Sequence, residues 1–176
     1  MSQLIRGIYC AAATPIEADG SPSFELFVAH CNGLLAEGGH GVALLGTTGE
    51  ANNFSADERM ALLDAAFASG ISGDQLLPGT SCNNLTETKA LTAHALSFQV
   101  KACVILPPFY YKGVSDEGLF RFYAQLVEEL ADSRLKIILY HIPQMTQVPI
   151  SHDLIARLRA DFPGIFVGIK DSAGDI

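Results

Sequence analysis

Ile165-Phe166-Val167-Gly168-Ile169-Lys170 is an unbroken apolar run that ends on a charged side chain. Continuous rather than alternating apolar runs mark strands of a parallel sheet covered on both faces. Residues two apart share a face of a strand, so Phe166, Gly168 and Lys170 fall on one side and Val167 and Ile169 on the other. If the Val167/Ile169 face packs on helices, Lys170 points inward. A lysine there is costly unless it has a task. Desolvation disfavours its ammonium and makes a neutral amine available to attack a carbonyl. Gly168 beneath it leaves room for an adduct. The plain alternative is an ordinary strand-end lysine that reaches solvent.

The same kind of run recurs five times upstream, at Gly7–Ala13, Gly41–Leu45, Gln75–Thr80, Ala102–Leu106 and Lys136–Tyr140. Helical segments separate them, at about 23–37, from Ser55, from Asn84, at about 115–131 and at about 151–160. Ser55 with Glu58 forms a capping-box pattern, and Asn84 with Glu87 repeats its logic. Six strands and five helices in alternation fit two architectures, a doubly wound open sheet or a (β/α)₈ barrel. Length favours the open sheet, because a complete barrel needs about 250 residues and this chain has 176. Only the motifs reverse that preference. The reading is then a TIM barrel cut after strand six, with residues 1–176 as one domain.

Composition narrows the function classes. The chain is 49% hydrophobic and 17% charged, which excludes a disordered protein. Its net charge of −8 argues against a nucleic-acid partner, which needs a basic face. No apolar run reaches the length of a membrane span, and Met1–Gly7 carries no signal-peptide core. Cys10, Cys31, Cys82 and Cys103 are scattered without C-x-x-C spacing, which reads as reduced thiols of a cytoplasmic protein. The five histidines do not cluster with them, so no metal is expected.

In both architectures the chemistry sits at the carboxyl ends of the strands. Strand two is followed there by Gly46-Thr47-Thr48-Gly49-Glu50, and strand four by Phe109, Tyr110 and Tyr111. Strand five ends in Tyr140 and strand six in Lys170-Asp171-Ser172. Hydroxyls, phenols and one amine thus meet on one rim. Taken singly, Tyr140 is a rim tyrosine and Thr47-Thr48 a helix cap or phosphate loop. Gly-Thr-Thr-Gly lacks the Lys-Ser/Thr ending of a P-loop, which weakens a nucleotide-binding reading.

Together, Gly46-Thr47-Thr48-Gly49-Glu50, Leu139-Tyr140-His141-Ile142-Pro143 and Gly168-Ile169-Lys170-Asp171 resemble the dihydrodipicolinate synthase/N-acetylneuraminate lyase family. The resemblance runs from about Gly7 to the last residue. It implies a class I aldolase on a (β/α)₈ barrel, assembled as a homodimer or homotetramer. It implies a covalent imine on Lys170 with pyruvate or a similar 2-keto acid, no separate cofactor, and an aldehyde as second reactant. Lys170 matches the Schiff-base lysine, Tyr140 the proton-relaying tyrosine, and Thr47 the hydroxyl linking it to a second tyrosine. That second tyrosine, which reaches across the dimer in several members, matches Tyr111, with Tyr110 as its rival. Thr48 matches the group that binds the keto-acid carboxylate, beside Gly46.

Two departures qualify the resemblance. Dihydrodipicolinate synthases carry an arginine five residues after the strand-five tyrosine, where it holds the second substrate's carboxylate. This chain has Met145 there, which cannot form such a pair. A lyase or aldolase acting on a sugar acid or hydroxy-keto acid is therefore expected ahead of the lysine-biosynthetic synthase. The chain also stops six residues after Lys170, which leaves a non-catalytic binding or assembly protein as the other reading.

Overall fold

In the computed structural model, residues 5–174 are described. Met1–Leu4, part of the N-terminal stretch read above, and Asp175 and Ile176 lie outside them. The strands are β1 (Tyr9–Ala11), β2 (Gly41–Leu44), β3 (Leu76–Pro78), β4 (Cys103–Ile105), β5 (Ile137–His141) and β6 (Phe166–Asp171). The helices are α1 (Phe24–Ala36), α2 (Ala56–Ala68), α3 (Leu85–Ser97), α4 (Asp116–Leu130), α5 (Pro143–Thr146) and α6 (His152–Asp161).

Strand order separates the two candidate architectures. Among the described residues every pairing between these strands is parallel, and neighbours in sequence are neighbours in space: β1-β2-β3 form one sheet and β4-β5-β6 another. Among the described residues one parallel bridge, Gly79 to Val104, joins the two, with Thr80 N–H donating to the Val104 carbonyl at 3.2 Å. A doubly wound sheet reverses its strand order part-way; this one never does. It is an arc of six consecutive barrel strands. Successive helices α1, α2, α3, α4 and α6 pack against one another in the same order.

The core has two layers accordingly. The larger lies between strands and helices and includes Phe27, Leu44, Leu62, Leu76, Ile105, Tyr123, Ile137, Leu139 and Phe166. The smaller lines the concave face with Leu77, Ala102, Val104, Tyr140 and Ile142. Caps fix the helix starts as the sequence predicts. Ser55 and Glu58 form the full capping box, and Asn84 Oδ1 accepts from Glu87 N–H at 2.8 Å. Ser115 and Ser151 cap α4 and α6 in the same way. Each such cap contributes about 0.5–2 kcal/mol. The one-turn helix α5 was not expected from the sequence; Pro143 opens it at the first helical position, where no N–H is needed.

β6 corrects the parity argument. Its pairing with β5 skips a residue: Ile137 pairs with Phe166, but Ile138 pairs with Gly168. Val167 is the extra residue of this bulge. Phe166 therefore faces the helices, edge-on to Tyr123 at 5.9 Å, and Val167 joins the concave cluster. Beyond the bulge the alternation resumes. Tyr140 pairs with Lys170, and Lys170 faces inward as expected, although the premise that put Phe166 on its face fails.

Candidate active site

The inward side chains at the carboxyl ends of β2, β5 and β6 meet. The register that pairs Tyr140 with Lys170 stacks the amine on the ring, with Lys170 Nζ 4.0 Å from the ring centroid. Tyr140 is almost fully buried, at 4% exposure, and Lys170 is half-buried. The Tyr140 hydroxyl shares a hydrogen bond of 3.0 Å with Thr47 Oγ1. Burial raises the phenol's pKa, but the Thr47 hydrogen bond, the Lys170 charge and hydrogen bonds from Lys170 and Ser172 outweigh it. The net result lies below the ordinary value of 10.

Gly46 and Thr48 stand on the other side of the amine. A Cβ added to Gly46 would lie 3.9 Å from Lys170 Nζ, so the bare backbone there keeps space beside the nucleophile. Gly46, Thr48, Gly49, Ala11 and Lys170 line a cavity of about 10 Å³, about the size one water or one carboxylate oxygen occupies. A larger cavity of about 250 Å³ is lined by Thr47 and Tyr140, with Leu45, Asn53, Arg59, Ser81, Phe109, Met145 and others. The turn that carries Thr47 is conformationally unusual. Leu45 has φ +55° and Glu50 φ +49°, a left-handed region that non-glycine residues adopt uncommonly.

The structure thus brings together Lys170, Tyr140, Thr47, Thr48 and Gly46. It does not bring Tyr110 or Tyr111 to them. Both tyrosines are exposed, at 70% and 77%, and stack edge-to-face on each other with centroids 5.1 Å apart. Their loop is held from both sides. Asn83 Oδ1 accepts from the N–H groups of Phe109 at 3.1 Å and Tyr110 at 2.8 Å. Lys112 Nζ donates to the carbonyls of Phe109 and, at 2.9 Å, Thr146.

Sequence reasoning missed Arg59 and Asn83, and it read Ser172 on the rim at the end of strand six without giving it a role. Arg59 carried a readable signal, since it falls on the same stripe of α2 as Leu62, Leu63 and Ala66; Asn83 had none. All four cysteines are free, and burial pushes the Cys31 and Cys103 thiols up to about 11 and about 12. Such thiols are inert fillers of the core.

A sequence model of the dihydrodipicolinate synthetase family matches residues 4–176. The chain belongs to this family. Over 174 residues it is 40% identical to an uncharacterized DapA-like lyase of Chloroflexus aurantiacus, covering 97% of this chain and 56% of that protein. The chain thus spans little more than half the length of the curated relatives it matches. Dihydrodipicolinate synthase of Agrobacterium tumefaciens superimposes with a TM-score of 0.92 at 34% identity, covering 96% of this chain and 59% of that one. The enzyme of Acinetobacter baumannii, solved in complex with pyruvate, gives 0.86 at 31% identity, covering 98% and 57%. Family membership fixes a lyase-type ancestry and the barrel fold. Among the described residues no helix is long and apolar enough to cross a membrane.

Proposed function

We propose that this chain carries the imine-forming half of a pyruvate-dependent carbon–carbon lyase, with Lys170 as the nucleophile. The observation that carries the reading is the stack of Lys170 on Tyr140, whose hydroxyl is in turn hydrogen-bonded to Thr47. A relative of 31% identity binds pyruvate, which supports a 2-keto acid as the first substrate.

The Lys170 amine adds to the keto carbon, and the Tyr140 hydroxyl delivers a proton to the departing oxygen as water leaves. The protonated imine withdraws electrons, so a proton passes from the adjacent carbon to the Tyr140 phenolate left by the first step, and an enamine forms. The enamine attacks an aldehyde, and the reverse sequence cleaves a carbon–carbon bond. A phenol held below its ordinary pKa suits repeated proton transfer better than a free tyrosine does. Thr47 keeps it oriented. Thr48 and the backbone at Gly46 hold the carboxylate of the keto acid with oriented donors in place of water. No separate cofactor takes part.

Met145 favours a partner other than the one the lysine-biosynthetic synthases use. It is 64% exposed and sits on α5 at the wall of the larger cavity, where it offers no charge to a carboxylate. A sugar acid or hydroxylated keto acid is the substrate class this fits. Exposed Tyr110 and Tyr111 are assigned to a neighbouring copy in a dimer or tetramer, and the free thiols fit a cytoplasmic setting. Incubation with pyruvate and borohydride followed by intact-mass measurement tests the reading. A covalent adduct localised to Lys170 supports it, and a folded protein that takes no adduct favours a non-catalytic binding role.

A further inference from the structure

Helix α2 buries a stripe of four residues, Arg59, Leu62, Leu63 and Ala66. Three are apolar. The fourth is a guanidinium only 3% exposed, and among the described residues it forms no ion pair with a carboxylate. A cation taken out of water without a counter-charge is expensive, and a core of this kind is more cheaply filled by leucine or methionine. Burial pulls the Arg59 pKa below its ordinary value, while Cys82 and Glu87 pull it back. The side chain stays charged nonetheless.

Its acceptors are atoms of the segment that leaves β3. Arg59 Nη2 donates to the Gly79 carbonyl at 3.0 Å, and Nη1 to the Ser81 carbonyl at 3.0 Å and to Cys82 Sγ at 3.3 Å. Only its Nε lacks a partner among the described residues. The planar fork matches two carbonyls that diverge from one turn, which the point charge of a lysine does not. Ser81 passes the brace onward, because its Oγ accepts from Leu106 N–H at 2.7 Å at the end of β4. Gly79 passes it to the catalytic turn. Gly79 N–H donates to the Leu44 carbonyl at 2.8 Å, and a Cβ at Gly79 would stand 2.2 Å from the Leu45 carbonyl oxygen. Leu45 is the residue in the left-handed region, and Gly46 and Thr47 follow it. One backbone contact therefore separates the residue Arg59 grips from the turn that holds the Thr47 hydroxyl.

We propose that Arg59 is a positioning residue for the Thr47–Tyr140 pair, acting by bracing the carboxyl end of β3 against the Leu45–Thr47 turn. The proposal rests on the reading of Lys170, Tyr140 and Thr47 as the imine-forming site. The fork, and not the charge alone, does the positioning. Loss of the fork lets the β3 end and the turn relax, and the Thr47 hydroxyl moves off the phenol.

The test uses Arg59→Lys, which keeps the charge and loses the fork, and Arg59→Met, which loses both. Two quantities are measured on the purified protein. One is the ionisation of Tyr140, read as tyrosinate absorbance against a Tyr140→Phe reference. The other is the rate of pyruvate trapping by borohydride at saturating pyruvate. In both variants Tyr140 ionises at higher pH than in the wild type. The trapping rate falls about tenfold or more, as a displacement of under 1 Å can cause, and the half-saturating pyruvate concentration changes less than the rate. A folded Arg59→Lys protein with wild-type Tyr140 ionisation and wild-type trapping overturns the proposal, whatever Arg59→Met does. Should Arg59→Met fail to fold, Arg59→Lys decides alone. A wild-type protein that takes no pyruvate sinks the imine reading, and the Tyr140 titration still judges the brace.

Discussion

Phe166 and Gly168 stand two residues apart on β6 yet face opposite sides of it. The bulge at Val167 inserts one residue opposite β5. It turns Phe166 onto Tyr123 and Phe162 in the helix layer and sets Gly168 and Lys170 on the concave face with Ile138 and Tyr140. The bulge lets one short strand anchor the outer core with an aromatic ring and still deliver an amine to the site.

The first prediction concerns the amine. Lys170→Met removes the nucleophile and keeps a side chain of similar length over the Tyr140 ring. The variant folds like the wild type and takes no adduct from pyruvate and borohydride. An adduct elsewhere on the folded variant, with the wild-type yield, would assign the chemistry to another lysine.

Tyr140 and Thr47 differ in what they contribute. Tyr140→Phe keeps the ring beneath Lys170 and deletes only the proton carrier, so turnover falls about 10²–10⁴-fold. Thr47→Val costs less, because the phenol remains, but it moves the pH profile. The phenol donates while protonated, so activity is lost as pH rises through its pKa, which lies below 10 in the wild type. The Thr47 hydrogen bond is one cause of that lowering. Its removal raises the pKa, and the alkaline limb of the rate profile shifts to higher pH. A limb that stays in place or moves to lower pH contradicts the hydrogen bond's assigned role.

Much of this was legible in the sequence. Apolar runs, caps and the three motifs give the element order and put Lys170, Tyr140, Thr47, Thr48 and Gly46 on one rim. Periodicity could not choose between open sheet and barrel, since both bury their strands on two faces; the unreversed strand order decides it. The bulge at Val167 escaped because a bulge is a relation between two strands, and nothing in Phe166-Val167-Gly168 alone announces it. Arg59 escaped for a different reason. A charged residue within an apolar stripe hints at burial, but what it does shows only in the carbonyls that accept from it, and these lie 20 and 22 residues away in the sequence. Tyr111 was assigned through resemblance, and within one chain it stays exposed.

Gly79 offers a test of the β3 contact on stability. Its added Cβ would meet the Leu45 carbonyl oxygen at 2.2 Å and the Leu45 carbonyl carbon at 2.9 Å. These are backbone atoms of a turn already in an uncommon conformation, so they cannot give way cheaply. Gly79→Ala is expected to destabilise the protein by about 1–3 kcal/mol, the usual cost of overpacking. The measurement is the shift in the denaturation midpoint at unchanged slope. An alanine tolerated without a shift means the turn yields readily.

Met145→Arg asks which aldehyde the site accepts. Met145 lies five residues beyond Tyr140, on α5, at the wall of the cavity that Tyr140 also lines. It is 64% exposed, so a longer polar side chain there neither opens a hole nor buries a charge, and the fold is expected to survive. An arginine at this position offers a fork that pairs with a carboxylate through two parallel hydrogen bonds. Hydrogen bonds to charged groups contribute about 1.5–3 kcal/mol, equivalent to about a 10–100-fold gain in kcat/KM. The gain falls on aldehydes that carry a carboxylate; neutral hydroxy-aldehydes gain nothing and lose whatever contact the methionine gave. The measurement is the ratio of kcat/KM for a carboxylate-bearing aldehyde to that for a neutral one, with pyruvate saturating, in wild type and variant. A ratio that does not rise places the carboxylate of the second substrate away from α5. Position 145 then has no part in choosing the aldehyde, and the argument from methionine to a sugar-acid substrate falls with it.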